Sequence, residues 1–184
     1  MTVEGKRPKG IPGRLTDRFG PGGGAAYGFA GCAVAIAVCG LAAHLARQPM
    51  LFPSLGPSAL LFLEKPTAHE SSPYNAVVGH LVGILAGVAA IAVFGLLDAP
   101  SVLEAGVTLA RVGAAALSVA LVALILPPLR ATHPPAGATT LLVSLGLLDQ
   151  PGQLAWVLAG VVLLTAVAWA LNRLAGVPVP VRQS

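Results

Sequence analysis

The side chains able to do chemistry gather in two short stretches of this 184-residue chain. One is Phe52-Pro53-Ser54-Leu55-Gly56-Pro57-Ser58-Ala59, and the other is Thr132-His133-Pro134-Pro135-Ala136-Gly137-Ala138-Thr139-Thr140. Hydroxyls donate and accept hydrogen bonds, and histidine can also carry a proton near neutral pH. Pro53, Pro57, Pro134 and Pro135 are the structural motif. Each lacks a backbone donor and biases the residue before it away from helix. A short helix resumes after each break, over 58–63 and from Ala136 onward. The first N–H groups of such helices have no intrahelical partner and carry partial positive charge. That chemistry suits a small anion and needs no buried fixed cation. Ser54, Ser58, Thr139 and Thr140 add hydroxyl donors, while Gly56 and Gly137 let a small ion reach the backbone. His133, just before the second helix, can donate to the anion or carry a proton with it. The blander alternatives stay open: His133 as a cap on a loop carbonyl, and the hydroxyls back-bonded to helix carbonyls.

His80 lies about one turn inside an apolar span. It either bonds a neighbouring carbonyl or faces the solute path, because ionisable groups in membranes are costly and usually face a cavity. Arg111 sits at a similar depth in another span, where it either snorkels to the interface or attracts an anion. The sequence has no His-Glu-x-x-His, no Gly-x-Ser-x-Gly and no carboxylate pair within a span, so an enzyme is not expected. Its 4 histidines are scattered and lack buried acids, so neither a metal site nor a cofactor is expected.

These residues sit in a chain that is 55% hydrophobic and only 10% charged. Soluble domains carry about 25% charged residues, so an integral membrane protein is expected. Lys6, Arg7, Lys9, Arg14 and Arg18 crowd the N-terminus. No aromatics interleave them, which argues against nucleic-acid binding and for a cytoplasmic anchor that sets orientation. The expected location is the inner membrane of a bacterium, multi-pass, with both termini cytoplasmic. Cys32 and Cys39 share a helix face about 10 Å apart along the axis, too far for a disulfide.

Positioning the reactive residues requires an all-α membrane architecture. Residues 1–24 read as a disordered basic cytoplasmic tail, 25–174 as the transmembrane domain and 175–184 as a short cytoplasmic tail. Full spans are expected at Tyr27–Leu45, 75–97, 106–126 and 154–174, each of about 20 residues. With the two Pro/Gly-broken half-helices they make four full transmembrane helices plus two partial ones. Gly79, Gly83 and Gly87 form a small-residue face suited to internal packing or to homo-oligomer formation.

The two broken stretches align at an offset of 81 residues, which also sets Gly79 on Gly160. Repeat 1 then covers about 25–97 and repeat 2 about 106–174. If the broken segments are re-entrant, the chain crosses four times and the repeats are parallel. If they cross, there are six crossings and the repeats are inverted. Six crossings leave only Arg47 outside, whereas four also put Lys65 and Arg130 there. Positive-inside counting therefore favours the inverted repeat. Paired, interrupted segments in corresponding halves point to a transport site.

His133-Pro134-Pro135 followed by Ala136-Gly137-Ala138 resembles the signature of the HPP family of integral membrane proteins. Pro53-Ser54-Leu55-Gly56-Pro57-Ser58-Ala59 and Gly79-His80 resemble that family's other recurring segments, and the similarity runs from about Tyr27 to Asn172. The resemblance implies a four-helix transmembrane domain. It also implies nitrite transport across the chloroplast envelope for some plant members and a soluble regulatory domain in others, for which this chain is expected to have no room. The expected function is a transporter or channel for a small inorganic anion, bound near the midplane by two opposed half-helix N-termini. Nitrite is suggested by the resemblance alone. The alternative is a non-transporting membrane scaffold or sensor. The expected partners are the lipid bilayer and the anion.

Overall fold

A computed structural model describes residues 10–148, 150–179 and 181–182. Lys6, Arg7 and Lys9 lie outside them, as does Asp149. The long helices α2 (Pro21–Ala46), α4 (Pro73–Val93) and α8 (Pro151–Leu174) each carry proline in the first turn. There its missing N–H costs nothing and its φ is preset. A capping box between Gln150 and Gln153 starts α8 at 151 rather than at 154. α6 (Leu109–Ile125) begins at Thr108, whose hydroxyl accepts the Arg111 N–H, and Pro127-Pro128 follow its end. The half-helices are α3 (Leu55–Glu64) and α7 (Ala136–Ser144); α1 (Ile11–Phe19) and α5 (Val102–Ala105) are short. No strand occurs among the described residues.

Three helices, α2, α4 and α8, are long and apolar enough to cross a membrane. A fourth full span was expected at 106–126. α6 has 17 residues and reaches ~26 Å, short of a hydrocarbon core of about 30 Å. The Thr108 cap and the proline pair trim it at both ends. Residues 11–19 and 21–24, expected to be unstructured, are helical as α1 and the first turn of α2, with Gly20 as the turn between them. The two helices are held closely: a side chain at Gly23 would strike the Leu15 carbonyl. The Ile11 N–H also bonds the Ala175 carbonyl at 2.8 Å. The C-terminal residues pack as a strap. Val177 and Val179 are buried, Trp169 Nε1 donates to the Val179 carbonyl, and the Tyr74 N–H donates to Val181.

Packing fixes relative directions. α2 pairs with α3, and α6 with α7. α4 packs on α6, α7 and α8, while α8 packs on α2, α3 and α4. Ala76, early in α4, clusters with Ala168, late in α8; Ala90 and Ile91, late in α4, cluster with Leu154, early in α8. α4 and α8 therefore run antiparallel. A methyl added at Gly79, Gly83 or Gly87 would meet His133 Cβ at 2.9 Å, the Ala136 oxygen at 2.8 Å and Val143 Cβ at 2.7 Å respectively. α4 therefore advances in the same direction as α7, and α7 fills its glycine face. Likewise Gly160 abuts Met50 and Phe52 while Asn172 donates to the Phe62 carbonyl, so α8 advances with α3.

Large apolar side chains lie open on the surface, while polar side chains are buried among the apolar core. Leu109 is 90% exposed and Phe29 79%, with Leu45, Leu124 and Leu174 also open. Ser54, Ser58, Asn75, His80, Arg111, His133, Thr139, Thr140 and Asn172 are buried. An open apolar surface with polar groups held inside suits a hydrocarbon solvent, which requires polar groups to be satisfied internally.

Candidate functional site

The starts of the two half-helices meet at one hydroxyl. Ser58, in the first turn of α3, sets its Oγ 3.2 Å from Nε2 of His133, which precedes α7. The same Oγ lies 3.1 Å from Nε2 of His80 on α4 and 3.1 Å from the Ser54 carbonyl. His80 Nδ1 is 2.7 Å from Thr139 Oγ1 on α7, and His133 Nδ1 donates to the Glu70 carbonyl at 2.8 Å. The two imidazoles meet edge to face with centroids 5.1 Å apart, and the Phe62 ring lies 5.8 Å from His133. Gly79 makes this possible, because any side chain there would displace His133.

Of the residues the sequence singled out, Ser58, His80, His133 and Thr139 come into direct hydrogen-bonded contact. Ser54 and Thr140 are fully buried, and their hydroxyls have no hydrogen-bond partner. An unpaired buried hydroxyl costs about 1–3 kcal/mol, so two in one region need a reason. Gly56 and Gly137 face open space where a Cβ would stand. His133 serves as a cap on a loop carbonyl and also contacts Ser58; Ser58 is back-bonded to Ser54 and also contacts both rings.

The backbone donors behave differently from the expectation of free N–H groups. Pro134 and Pro135 have none, and Ala136, Gly137 and Ala138 bond back to His133, Pro134 and Pro135. In α3, Leu55 and Gly56 bond back to Phe52 and Pro53. Tight turns have absorbed the donors. The aligned peptide dipoles of each helix remain, so what the site still offers directly is hydroxyl and ring groups.

Arg111 is elsewhere. It neither snorkels nor joins the cluster: its guanidinium is buried and donates to the carbonyls of Ser144 (3.1 Å), Ala99 (2.9 Å) and Pro100 (2.9 Å). It closes the C-terminal end of α7, where partial negative charge collects. Gly146, at φ +72°, leaves room for it; a side chain there would meet the guanidinium at 2.6 Å.

The family model for the HPP transmembrane region matches residues 20–180. The chain belongs to the HPP family. No curated protein and no solved structure matches it. In this HPP protein the His133-Pro134-Pro135 signature is the turn that starts α7 and brings the imidazole to Ser58. Among the described residues no group of three His, Cys, Asp or Glu comes together as a metal set. Sequence reasoning passed over Asn75 and Asn172. Asn75 Nδ2 donates to the Thr132 carbonyl at 3.1 Å, anchoring the signature turn, and Asn172 Oδ1 accepts from the Tyr27 hydroxyl at 2.8 Å. Amides at the ends of apolar spans were the available signal. The Glu70 carbonyl carried none, because a backbone acceptor has no sequence signature.

Proposed function

We propose that this HPP protein moves a small inorganic anion across the membrane, with the site at the buried cluster where α3 and α7 begin. The carrying observation is that two fully buried hydroxyls without partners, Ser54 and Thr140, lie on the segments whose positive dipole ends converge at Ser58 and His133. Desolvated hydroxyls beside two helix N-termini favour a small anion. Nitrite is the substrate suggested by the family resemblance. An open surface depression of about 570 Å³ lined by His44, Arg47 and Gln48 lies at the end of α2, where the Arg47 guanidinium would attract an anion.

The helix directions support six crossings with inverted repeats. α4 is antiparallel to α8, each final span packs on the other half's first span and half-helix, and α2 pairs with α3 as α6 pairs with α7. The offset of 81 that sets Phe52 on His133 also carries the Gly79–His133 contact onto the Gly160–Phe52 contact. We place both termini on the cytoplasmic side of a bacterial inner membrane, a reading supported by the basic N-terminus. The Ile11–Ala175 bond keeps the two ends together.

The scaffold or sensor reading has its own support, since all four ring nitrogens of His80 and His133 are already partnered. Flux separates the two. Purified protein in liposomes is challenged with nitrite, nitrate, formate and chloride, wild type beside His133→Ala and Thr139→Val. Uptake by wild type that falls in folded variants supports transport. No uptake of any of these ions, with or without a pH gradient, leaves the scaffold.

A further inference from the structure

The hydrogen bonds around Ser58 form a chain whose direction is set at one end. The Glu70 carbonyl can only accept, so His133 must carry a proton on Nδ1. A neutral His133 then has Nε2 as an acceptor, and the single Ser58 proton satisfies either it or the Ser54 carbonyl; the chain forms in the orientation that points to His133. Ser58 Oγ in turn accepts from His80 Nε2–H, which leaves His80 Nδ1 to accept from the Thr139 hydroxyl. Every donor from Thr139 to Glu70 then points the same way, and the two rings hold opposite tautomers.

From this geometry we infer that Thr139–His80–Ser58–His133–Glu70 is a proton relay that couples proton movement to the solute. The inference rests on the transport reading above. Thr139 hands its hydroxyl proton to His80 Nδ1 as it takes one from the protonated solute, which lets His80 pass its Nε2 proton to Ser58, and Ser58 passes its own to His133 Nε2. His133 then holds a proton on each nitrogen and gives the one on Nδ1 to water at the half-buried loop that carries Glu70, because the Glu70 carbonyl can accept a hydrogen bond but not hold the proton. One proton enters and one leaves, no covalent bond other than to hydrogen changes, and ring and hydroxyl rotation resets the chain. While His133 is doubly protonated, Ser58 is free to turn to the Ser54 carbonyl, 3.1 Å away. The hydroxyl thus has two defined positions, one for each state of His133. The ionisable group whose charge acts on His80 is His133, and the one whose charge acts on His133 is Glu70. α3 turns the Ser58 hydroxyl and the Phe62 ring to the histidines, and α7 turns the Thr139 hydroxyl.

The test begins with histidine tautomers. The chain has 4 histidines, so His44→Gln with His69→Gln leaves only the pair. Nitrogen-15 histidine spectra of that protein in lipid nanodiscs are expected to show one Nδ1–H ring and one Nε2–H ring. Ser58→Thr is expected to keep the pattern and Ser58→Ala to lose it. Two rings of the same tautomer overturn the relay. In proteoliposomes, nitrite is assayed chemically and internal pH by a trapped dye. Nitrite entry accompanied by a pH change that Ser58→Ala abolishes is the expected result. Nitrite entry with no pH change overturns the relay and leaves the transport reading standing. If neither ion moves, transport itself falls, and the relay's role falls with it.

Discussion

A methyl group placed on Gly79 would sit 2.9 Å from Cβ of His133. The signature histidine is therefore held where it is by the absence of a side chain on the neighbouring span. Gly79→Ala must push the turn away from α4. A loss of about 1–3 kcal/mol follows from such overpacking, read as a lower Tm in detergent. Gly160→Ala should cost more, because it meets the Met50 carbonyl, which is backbone and cannot rotate aside. An unchanged Tm for both would mean that the span contacts are looser than described.

Gly56 and Gly137 make the opposite case. Nothing lies where their Cβ atoms would stand. Both are helical, so alanine should leave folding intact or stabilise it by about 0.5–1 kcal/mol. If a small anion uses the bare backbone there, each variant keeps its Tm and loses flux. Full flux in both variants would remove these two glycines from the site.

Ser54 and Thr140 bury hydroxyls that have no partner. Thr140→Val and Ser54→Ala remove that burden, and a gain of roughly 1 kcal/mol is expected from the desolvation term. Anion uptake should fall at the same time. A drop in stability would mean that the hydroxyls have partners; stability gained with uptake unchanged would mean that they are not ligands.

Arg111 ties the Ala99 and Pro100 carbonyls to the end of α7 through Ser144. Arg111→Met leaves the buried Ser144 carbonyl and the more open Ala99 and Pro100 carbonyls without their donor, for a loss of roughly 1–3 kcal/mol. Arg111→Lys should recover only part of it, because an ammonium cannot reproduce the planar fork. Equal Tm values for Lys and wild type would show that charge rather than geometry matters.

Crossing number is read by labelling. In a background with Cys32 and Cys39 replaced by alanine, single cysteines at Gln48 and Lys65 are exposed to an impermeant thiol reagent in sealed vesicles. Six crossings predict modification from opposite sides. Modification of both from the same side would restore the four-crossing arrangement.

The apolar content, the scarcity of charge and the proline breaks at 53–57 and 134–135 made an all-helical membrane protein with two half-helices legible from the chain alone. These are local properties: transfer energy and backbone freedom depend on residue type, not on neighbours. For the same reason the start of α7 at Ala136 was readable. Helix ends set by caps and by contacts were not, and so α6 came out short and α1 was unexpected. The candidate residues were named one by one, but nothing in the sequence said that Ser58, His80, His133 and Thr139 would share one chain of hydrogen bonds. That depends on α4 lying against α7 along a glycine face and on α3 arriving from the other half. It depends too on a loop carbonyl at Glu70 that fixes which nitrogen of His133 holds the proton. Distances between residues 75 apart in sequence are decided by packing, and packing belongs to the folded chain.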